Sequence, residues 1–354
     1  MKPLNIYIKG QCMDMCPAAE IMLRENKRLL HILETLPRAS NSEKPVADRK
    51  KVVKCYSRSA AGKAMENPKY LRPTNVLLRT INYLLQDVLT NTRVPWNVTY
   101  DFITDRLRSV RQDMIIQNLP VIDSIKILQP IVNFHAYASY RLCEESLNHF
   151  DPVLNKTHLQ ECIKRLLCLY DEYERIIEKI TNDDKMVQEN RPRFEALYVI
   201  LNLSNPESVI RALRLPETYK NKDLKLAIDV SLNYIRGNFV RVCKHLRDLQ
   251  YLLLALSSLH LPEIRKKVLQ TMSVAYNSKN LTFPLEILKN LFLYNTVDDV
   301  ISECKHYGLH CDQDNVHFLK DNFNRNQTLA RPTRLNFLDK QVEDRDIVHL
   351  ILNI

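Results

Sequence analysis

Glycine is scarce: 4 of 354 residues, where average usage would give roughly 25. Phosphate-cradling loops, dinucleotide-binding turns and hairpin-rich β folds all need glycine at positive φ or at a close backbone approach. A chain this poor in glycine is expected to be helical. Long apolar runs are also missing. The longest mostly apolar stretch, around Tyr251–Leu261, is far short of the ~20 residues that span a bilayer. Met1–Gly10 has no apolar h-region, so no signal peptide is expected. The 9 cysteines are odd in number and spread from Cys12 to Cys311, unlike the dense framework of a small secreted scaffold. A soluble protein of a reducing, intracellular compartment is the expectation. Gly-x-Ser-x-Gly, Walker-type and His-Glu-x-x-His motifs are all absent from the sequence, so no enzyme chemistry and no cofactor are expected.

What is present is an ordinary apolar share, 45%, enough to bury a real core. The net charge is +10, concentrated in two blocks: residues 1–80 carry +9 and 181–280 carry +6, against −2 for 81–180 and −3 for 281–354. Such blocks suit a polyanion or an acidic partner, or simply a set of solvated helix faces.

Helical spacing runs through most of the chain. An extended lead-in, 1–16, precedes Pro17, which opens a helix expected to reach Leu36. A polar loop follows (Pro37–Pro45), then a basic helix (Val46–Tyr56) and a small-residue break (Ser57–Gly62). Further helices are expected at Pro73–Leu89, Thr99–Asn118, Val121–His149 with a kink at Pro130, and Leu159–Ile180. An acidic loop, Asn182–Asn190, is the expected internal boundary. Shorter helices follow at Arg193–Leu203, Pro206–Leu213, Leu224–Arg236, Phe239–Leu259 and Pro262–Tyr276, in the rhythm of stacked helical hairpins. The end changes character. Two short helices, Phe283–Leu293 and Val297–Tyr307, stop at Gly308, and extended candidates follow at Leu309–Cys311, Val316–Leu319 and Leu335–Leu338. This is a winged-helix pattern, with two more stack helices and a frayed tail as the alternative. The expected divisions are 1–72, a motif-bearing lead-in with helices; 73–280, the helical stack; and 281–345, the winged helix.

Two cysteine groupings invite a metal reading. Cys12 and Cys16 flank Asp14, but no second ligand pair follows at zinc spacing; small apolar cysteines docking the lead-in explain them as well. Cys304, His306, His310, Cys311 and His317 fall close together, but Gly308 interrupts the helix that would align the two histidines. No metal site is expected at either.

One segment is chemically unusual: Asp101-Phe-Ile-Thr-Asp105-Arg106-Leu-Arg108-Ser109-Val-Arg111-Gln112-Asp113. On a helix Asp105 and Arg108 can pair at i,i+3, with Arg111, Gln112 and Asp113 nearby. A solvated ladder would contribute only a few tenths of a kcal/mol per pair. A half-buried network would fix how the helix docks, and breaking it would cost several. The interleaved Phe102, Leu107 and Val110 make the second reading the better one, and Arg108→Ala is expected to lower stability and solubility.

Four ordered segments now resemble one family. Gly10-Gln-Cys12-Met-Asp14-Met-Cys16-Pro17-Ala-Ala-Glu20 resembles its opening signature. Tyr56-Ser-Arg58-Ser-Ala-Ala-Gly62 resembles the second. Leu71-Arg72-Pro73 with Val76-Leu77 and Thr80-x-x-Tyr83-Leu84 resembles the third. Phe102-Ile-x-Asp105-Arg106-x-Arg108-Ser-Val-Arg111-Gln112-Asp113 with Gln117 resembles the fourth, and Phe134-His135 extends the match. These are similar to the Sac/GANP family, the suppressor-of-actin and germinal-centre-associated nuclear proteins. Gln11, Gln129-Pro130, Asn133 and Cys243 depart from the family's usual residues.

The resemblance implies an all-α, non-enzymatic scaffold: stacked helical hairpins in a PCI-like or TPR-like right-handed superhelix, ending in a winged helix. It implies pairing with a PCI-domain protein and a small acidic subunit, a nucleic-acid surface assembled with that partner, and a nuclear role in mRNA export. Because the motifs begin at Gly10, the chain resembles the short, domain-only branch of the family, which implies centrosome duplication and spindle assembly, with centrosomal or spindle partners and no membrane. Lys320, Arg325, Arg331 and Arg334 are the candidate phosphate contacts; a solvated loop explains them equally well.

Overall fold

The structure is a computed structural model, and it describes residues 8–37, 44–58, 66–176, 182–343 and 347–352. It is predominantly helical, as the glycine shortage implies. Gly62 of the second signature lies outside the described residues. Among the described residues, no helix is long and apolar enough to cross a membrane.

The chain divides into two compact units. The first holds residues 1–134, 168–187 and 348–354. Its regular elements begin with α1 (Ala18–Asn26) and a 3₁₀ turn at Ile32–Glu34. After an extended stretch come a second 3₁₀ turn, Pro68–Tyr70, and α2 (Thr74–Tyr83), which widens into a π turn at Leu84–Val88. The long α3 (Trp96–Ile116) follows. The unit also takes the first part of α4 (Val121–Arg141), the last part of α5 (Pro152–Ile176) and the start of α6 (Asn182–Leu201). Its core is built where sequence periodicity places it: Val76, Leu77, Ile81, Leu84 and Leu85 from α2 and the π turn, Ile103, Leu107 and Val110 from α3, all at 1% exposure or less. Pro73 and Pro95 precede α2 and α3, where a missing N–H costs nothing.

One expected helix is shorter than its pattern and a second is not there. The first helix stops at Asn26 instead of running to Leu36, and Arg28 takes φ +54°. The reason is an ion pair: a continuous helix would hold residues 24 and 34 about 15 Å apart along its axis, whereas the Arg24 guanidinium bonds the Glu34 carboxylate. The stretch expected as a basic helix is instead extended apart from a turn after Asp48, with Ala47 bridged to Thr35. Its N–H groups go elsewhere: Val53 to Glu34, Lys54 to Met15, Cys55 to Glu20 and Tyr56 to Asp105. Three of these four long-range acceptors are carboxylates, stronger than the i−4 carbonyls of a helix.

The second unit holds residues 135–167 and 188–347. After the remaining parts of α4, α5 and α6 come α7 (Pro206–Arg214), α8 (Lys222–Ile235), α9 (Phe239–Leu246), α10 (Tyr251–Ser258) and α11 (Leu261–Ala275). Asn205, Asn221 and Asn238 cap α7, α8 and α9 by accepting from backbone N–H groups in the first turn. Next come β1 (Phe283–Pro284), α12 (Leu285–Leu291), α13 (Val297–His306), β2 (His310–Cys311), β3 (Asn315–His317) and α14 (Asn336–Glu343). A last short helix, α15 (Ile347–Leu352), closes the described chain.

The strands form one antiparallel sheet in the order β1-β3-β2, with Phe283 opposite Val316 and His310 opposite His317. A Thr296–Asp299 capping box starts α13. Gly308 ends it at φ +84°, and a Cβ there would lie 2.4 Å from the Asn322 carbonyl oxygen.

Three further expectations change. The acidic stretch from Asn182 opens α6 rather than forming a loop. The single helix expected over Phe239–Leu259 is two, α9 and α10, because α9 is amphipathic while every residue of α10 is buried. Leu335–Leu338, expected as extended, leads into α14; the buried pair Leu335 and Leu338 has helical, not strand, spacing.

Candidate functional site

The signature residues converge in the first unit on a buried ionic network organised by two carboxylates. α3 supplies one stripe of it. Phe102, Arg106, Ser109, Asp113 and Gln117 recur at steps of three and four, so they share a face of the helix and its C-terminal end. All five are buried.

At the C-terminal end of the stripe, Asp113 is fully buried. Its Oδ2 accepts from Arg72 Nε at 2.7 Å and from the Arg72 backbone N–H at 3.3 Å; its Oδ1 accepts from Lys54 Nζ at 2.6 Å. The Arg72 side chain, itself fully buried, spends its other N–H groups on the Met15 carbonyl at 3.2 Å and Ser109 Oγ at 2.9 Å. Gln117 donates to the carbonyls of Arg72 (2.8 Å) and Asp113 (2.9 Å) and accepts from the Gly10 N–H at 2.8 Å. Gly10 is required by space: a Cβ there would stand 2.5 Å from the Leu71 carbonyl oxygen and 2.7 Å from Gln117 Oε1. The lead-in is thereby stitched to the segment before α2, with Gln11 and Cys12 donating to Pro68 and Leu71.

At the other end of the stripe, Glu34 is fully buried. It accepts from Arg24, from Arg106 Nε (3.3 Å) and Nη2 (3.1 Å), and from the Val53 N–H (3.0 Å). Arg24 also donates to the Val53 carbonyl at 3.0 Å and approaches Glu20 at 3.7 Å. Arg106 reaches Asp105 as well, and its guanidinium lies 4.5 Å from the centre of the Phe102 ring. Burial works against the Arg106 charge, but Glu34, Cys55 and Asp105 together more than offset it, and its pKa is raised. The two ends together hold Arg24, Lys54, Arg72 and Arg106 against Glu20, Glu34, Asp105 and Asp113. Four cations meet four anions, so the cluster is neutral. That is the condition under which charges can be kept out of water.

The remaining signature residues serve this framework. Cys16 (1% exposed) packs with Ile21, Ala47 and Val52, and burial pushes its thiol pKa up. Cys12 is raised by burial too and donates to the Asp14 carbonyl at 3.2 Å. Cys55 is pushed up to about 12, again by burial. These thiols are held protonated, which suits packing rather than nucleophilic work. Pro17 starts α1. Gln112 donates to the Ser57 carbonyl at 2.7 Å, Arg111 is half-buried and Arg58 is exposed. The expected Asp105–Arg108 pair is replaced: Asp105 turns to Arg106 and the Tyr56 N–H, and Arg108 stacks 4.0 Å from the centre of the Tyr56 ring.

His135 belongs to the second unit. It is buried, with Nδ1 2.7 Å from Asn155 Oδ1, while Asn155 donates to the His135 carbonyl at 3.0 Å.

The C-terminal candidates lie in the second unit and are not all alike. Lys320, Arg325 and Arg331 are exposed. Arg334 is not a free cation: its Nε lies 3.5 Å from Glu144 and 3.4 Å from Asp339. The turn joining β2 and β3 is acidic, with Asp312 accepting from the N–H groups of Asp314 and Asn315. Among the cysteine–histidine group, Cys304 hydrogen-bonds Cys311, which together with burial raises the Cys304 pKa; His306 contacts the Thr328 carbonyl and His317 contacts Asp312. Among the described residues no group of three or more such side chains gathers as a metal site would require.

Sequence reasoning missed Glu34, Arg24 and Lys54. Glu34 has one visible signal: it is a lone acid inside the apolar run His31-Ile-Leu-Glu-Thr-Leu36.

Comparison with known proteins agrees with the motifs. The model of the SAC3/GANP family matches residues 15–313. SAC3 family protein 1 of Schizosaccharomyces pombe is 28% identical, covering 86% of this chain and 30% of that protein. Protein xmas of Drosophila melanogaster is 26% identical over 86% of this chain and 15% of its own length. SAC3 family protein B of Arabidopsis thaliana is 24% identical over 75% of this chain and 16% of its own length. The chain thus spans less than a third of the length of these relatives. With the family matched across most of the sequence and residues of its signatures meeting in one ionic network, the chain belongs to the SAC3/GANP family.

Proposed function

We propose that this chain is a non-enzymatic helical scaffold, working in centrosome duplication and spindle assembly, in nuclear mRNA export, or in both. The observation that carries this reading is the network around Glu34 and Asp113. Its charged groups are buried and spent on one another, so the signature residues hold segments in place and present no reacting group to a substrate. A family whose defining residues are structural is one that presents surfaces.

In this reading the helices of the second unit form PCI-like stacked hairpins and the C-terminal part is a winged helix. The β1-β3-β2 order supports it, with α12 and α13 between β1 and β2 and a tight β2–β3 hairpin. A PCI-domain protein and a small acidic subunit are the expected partners, and nucleus, cytoplasm and centrosome or spindle the expected locations. Co-purification from cells tests it. Recovery of a PCI-domain protein with a small acidic subunit assigns the chain to export. Recovery of centriolar or spindle proteins without them assigns it to division, and recovery of neither set overturns the proposal.

A second reading, a nucleic-acid-binding subunit of a TREX-type export complex, is favoured by the exposed Lys320, Arg325 and Arg331. The acidic hairpin turn and the occupied Arg334 weigh against binding without a partner. If the surface contacts phosphates, RNA affinity falls steeply with salt and Lys320→Glu with Arg331→Glu flattens the slope. Salt-insensitive binding, or none in the partner's presence, removes this reading.

A further inference from the structure

An open groove of about 860 Å³ in the first unit is used by none of the contacts described above. One wall is the segment after α1, contributing Ile32, Leu33 and Leu36; the other is the π turn and the loop that follows it, contributing Val88 and Val94. The π turn shapes that wall. Its i−5 bonding, with the Leu89 N–H on the Leu84 carbonyl at 3.0 Å, swells the helix and turns Tyr83, Asp87 and Val88 toward the groove. Such turns recur at functional sites. Two of the lining side chains are large, aliphatic and open to solvent: Ile32 is 66% exposed and Leu36 43%. Single exposed aliphatics are ordinary, whereas several gathered in one concavity mark an interaction site.

The rim is basic. Lys50 and Arg93 are exposed, and Lys51 lies between the groove and Asp48, 3.1 Å from it. Asp87 is the acidic side chain facing the same space. The surplus of cations over an aliphatic floor defines the occupant by complementarity. Its charge must be negative and its contact face apolar. A nucleic acid would meet the cations, but Tyr83 is the one aromatic side chain in the lining, and a mainly aliphatic floor offers successive bases little to stack on. We infer that this groove docks a short acidic peptide segment of a partner protein, one that inserts two or three large apolar side chains between Ile32, Leu36 and Val94 and sets its carboxylates against Lys50, Lys51 and Arg93. The block charge of +9 over residues 1–80 steers such a segment to this end of the chain. The groove is tested with a defined peptide and the proposed function by co-purification from cells, so the failure of one is distinguishable from the failure of the other.

The test is fluorescence anisotropy with a labelled 14-residue peptide alternating Leu and Phe with Asp and Glu. One control replaces its acids by Asn and Gln, and a second replaces its apolar residues by Ser. Saturable binding of the first peptide is expected, weaker at higher salt, with both controls weaker. Lys50→Glu with Arg93→Glu, at two exposed positions that leave the fold intact, should weaken it about tenfold or more. Leu36→Asp should do the same through the floor. Absence of saturable binding, or affinity unchanged in the double charge reversal, overturns the inference. So does equal competition by a single-stranded oligonucleotide, or a self-association in sedimentation that Leu36→Asp abolishes, which would make the groove's occupant a nucleic acid or a second copy.

Discussion

Replacing Asp113 by Asn tests the central claim, that buried charge pairing holds the signature segments together. The carboxylate has no exposed surface and serves two cations. Asn keeps an acceptor of the same shape but removes the charge. Lys54, whose side chain is 12% exposed, can turn toward water; Arg72, at 0%, cannot. The cost is therefore mainly one stranded guanidinium, and removing one member of a buried pair costs about 3–5 kcal/mol. With one hydrogen bond retained, the lower end, about 3 kcal/mol, is expected. At 2–4 °C per kcal/mol for a unit of this size, the midpoint should fall by roughly 6–12 °C. The assay must report the right unit, and the chain has its own probe. Trp96 is the one tryptophan; it starts α3 in the first unit, 6.4 Å from the rings of both Tyr100 and Phe134. Tryptophan fluorescence during heating or urea titration reads that unit alone. Arg72→Met added to Asp113→Asn removes the stranded charge, so the double variant should lose less than the sum of the singles by about 1 kcal/mol or more. An Asp113→Asn variant within about 0.5 kcal/mol of the parent, or strict additivity, would refute the reasoning.

Gly10→Ala should lower the same fluorescence midpoint by an amount equivalent to about 1–3 kcal/mol, because its Cβ collides with the Leu71 carbonyl and Gln117; an unchanged midpoint would deny the close approach. Arg106→Ala strands Glu34 with Arg24 alone and should cost about 3–5 kcal/mol, whereas Arg108→Ala loses one ring contact at 4.0 Å and should cost about 0.5–1 kcal/mol. Equal losses would contradict the assignment of roles along α3. In the second unit, burial lowers the His260 pKa from 6.5 to about 4, with its Nε2 3.0 Å from the Ile200 carbonyl. Because the folded value lies below the unfolded one, its contribution is fully present above pH 6.5 and is lost as pH falls through about 4. His260→Asn should therefore lose less stability than the parent between pH 7 and 4.5 in urea titrations followed by far-UV circular dichroism; parallel losses would refute this.

The helices legible in the sequence are those whose stability comes from one amphipathic face. α2, α3, α7, α8 and α13 lie close to where periodicity puts them, since the same spacing that marks them also buries them. The failures share another cause. Residues 27–36 and 46–56 carry a helical pattern that other partners override: the Arg24–Glu34 ion pair breaks the first, and in the second Glu34, Glu20 and Asp105 take N–H groups that a helix would have used internally. Periodicity sees apolar faces and is blind to acceptors that arrive from 19 to 49 residues away.

The candidate site divides along the same line. The α3 stripe was legible as a polar row interleaved with core residues, because all its members belong to one helix. The pairing was not. Local spacing favoured Asp105 with Arg108, worth a few tenths of a kcal/mol on a wet surface; burial reverses that preference, because an anion withdrawn from water needs the cations that are withdrawn with it. Both arginines lie against a ring, but Arg108 keeps access to solvent while Arg106 is buried, so Arg106 takes both Asp105 and Glu34. The resemblance named most of the residues in this network without saying what they do. Neutrality supplies the missing reason: four cations and four anions from five segments balance one another, with Arg24, Glu34, Arg72, Arg106 and Asp113 buried and Glu20, Lys54 and Asp105 completing the set from its partly exposed edge. Five of those eight charges, Glu20, Arg72, Asp105, Arg106 and Asp113, stand in the quoted signatures, and the other three, Arg24, Glu34 and Lys54, fall between them. A charge-balanced count of the ion-paired set, rather than the signature residues alone, is what identifies the group that must be kept intact.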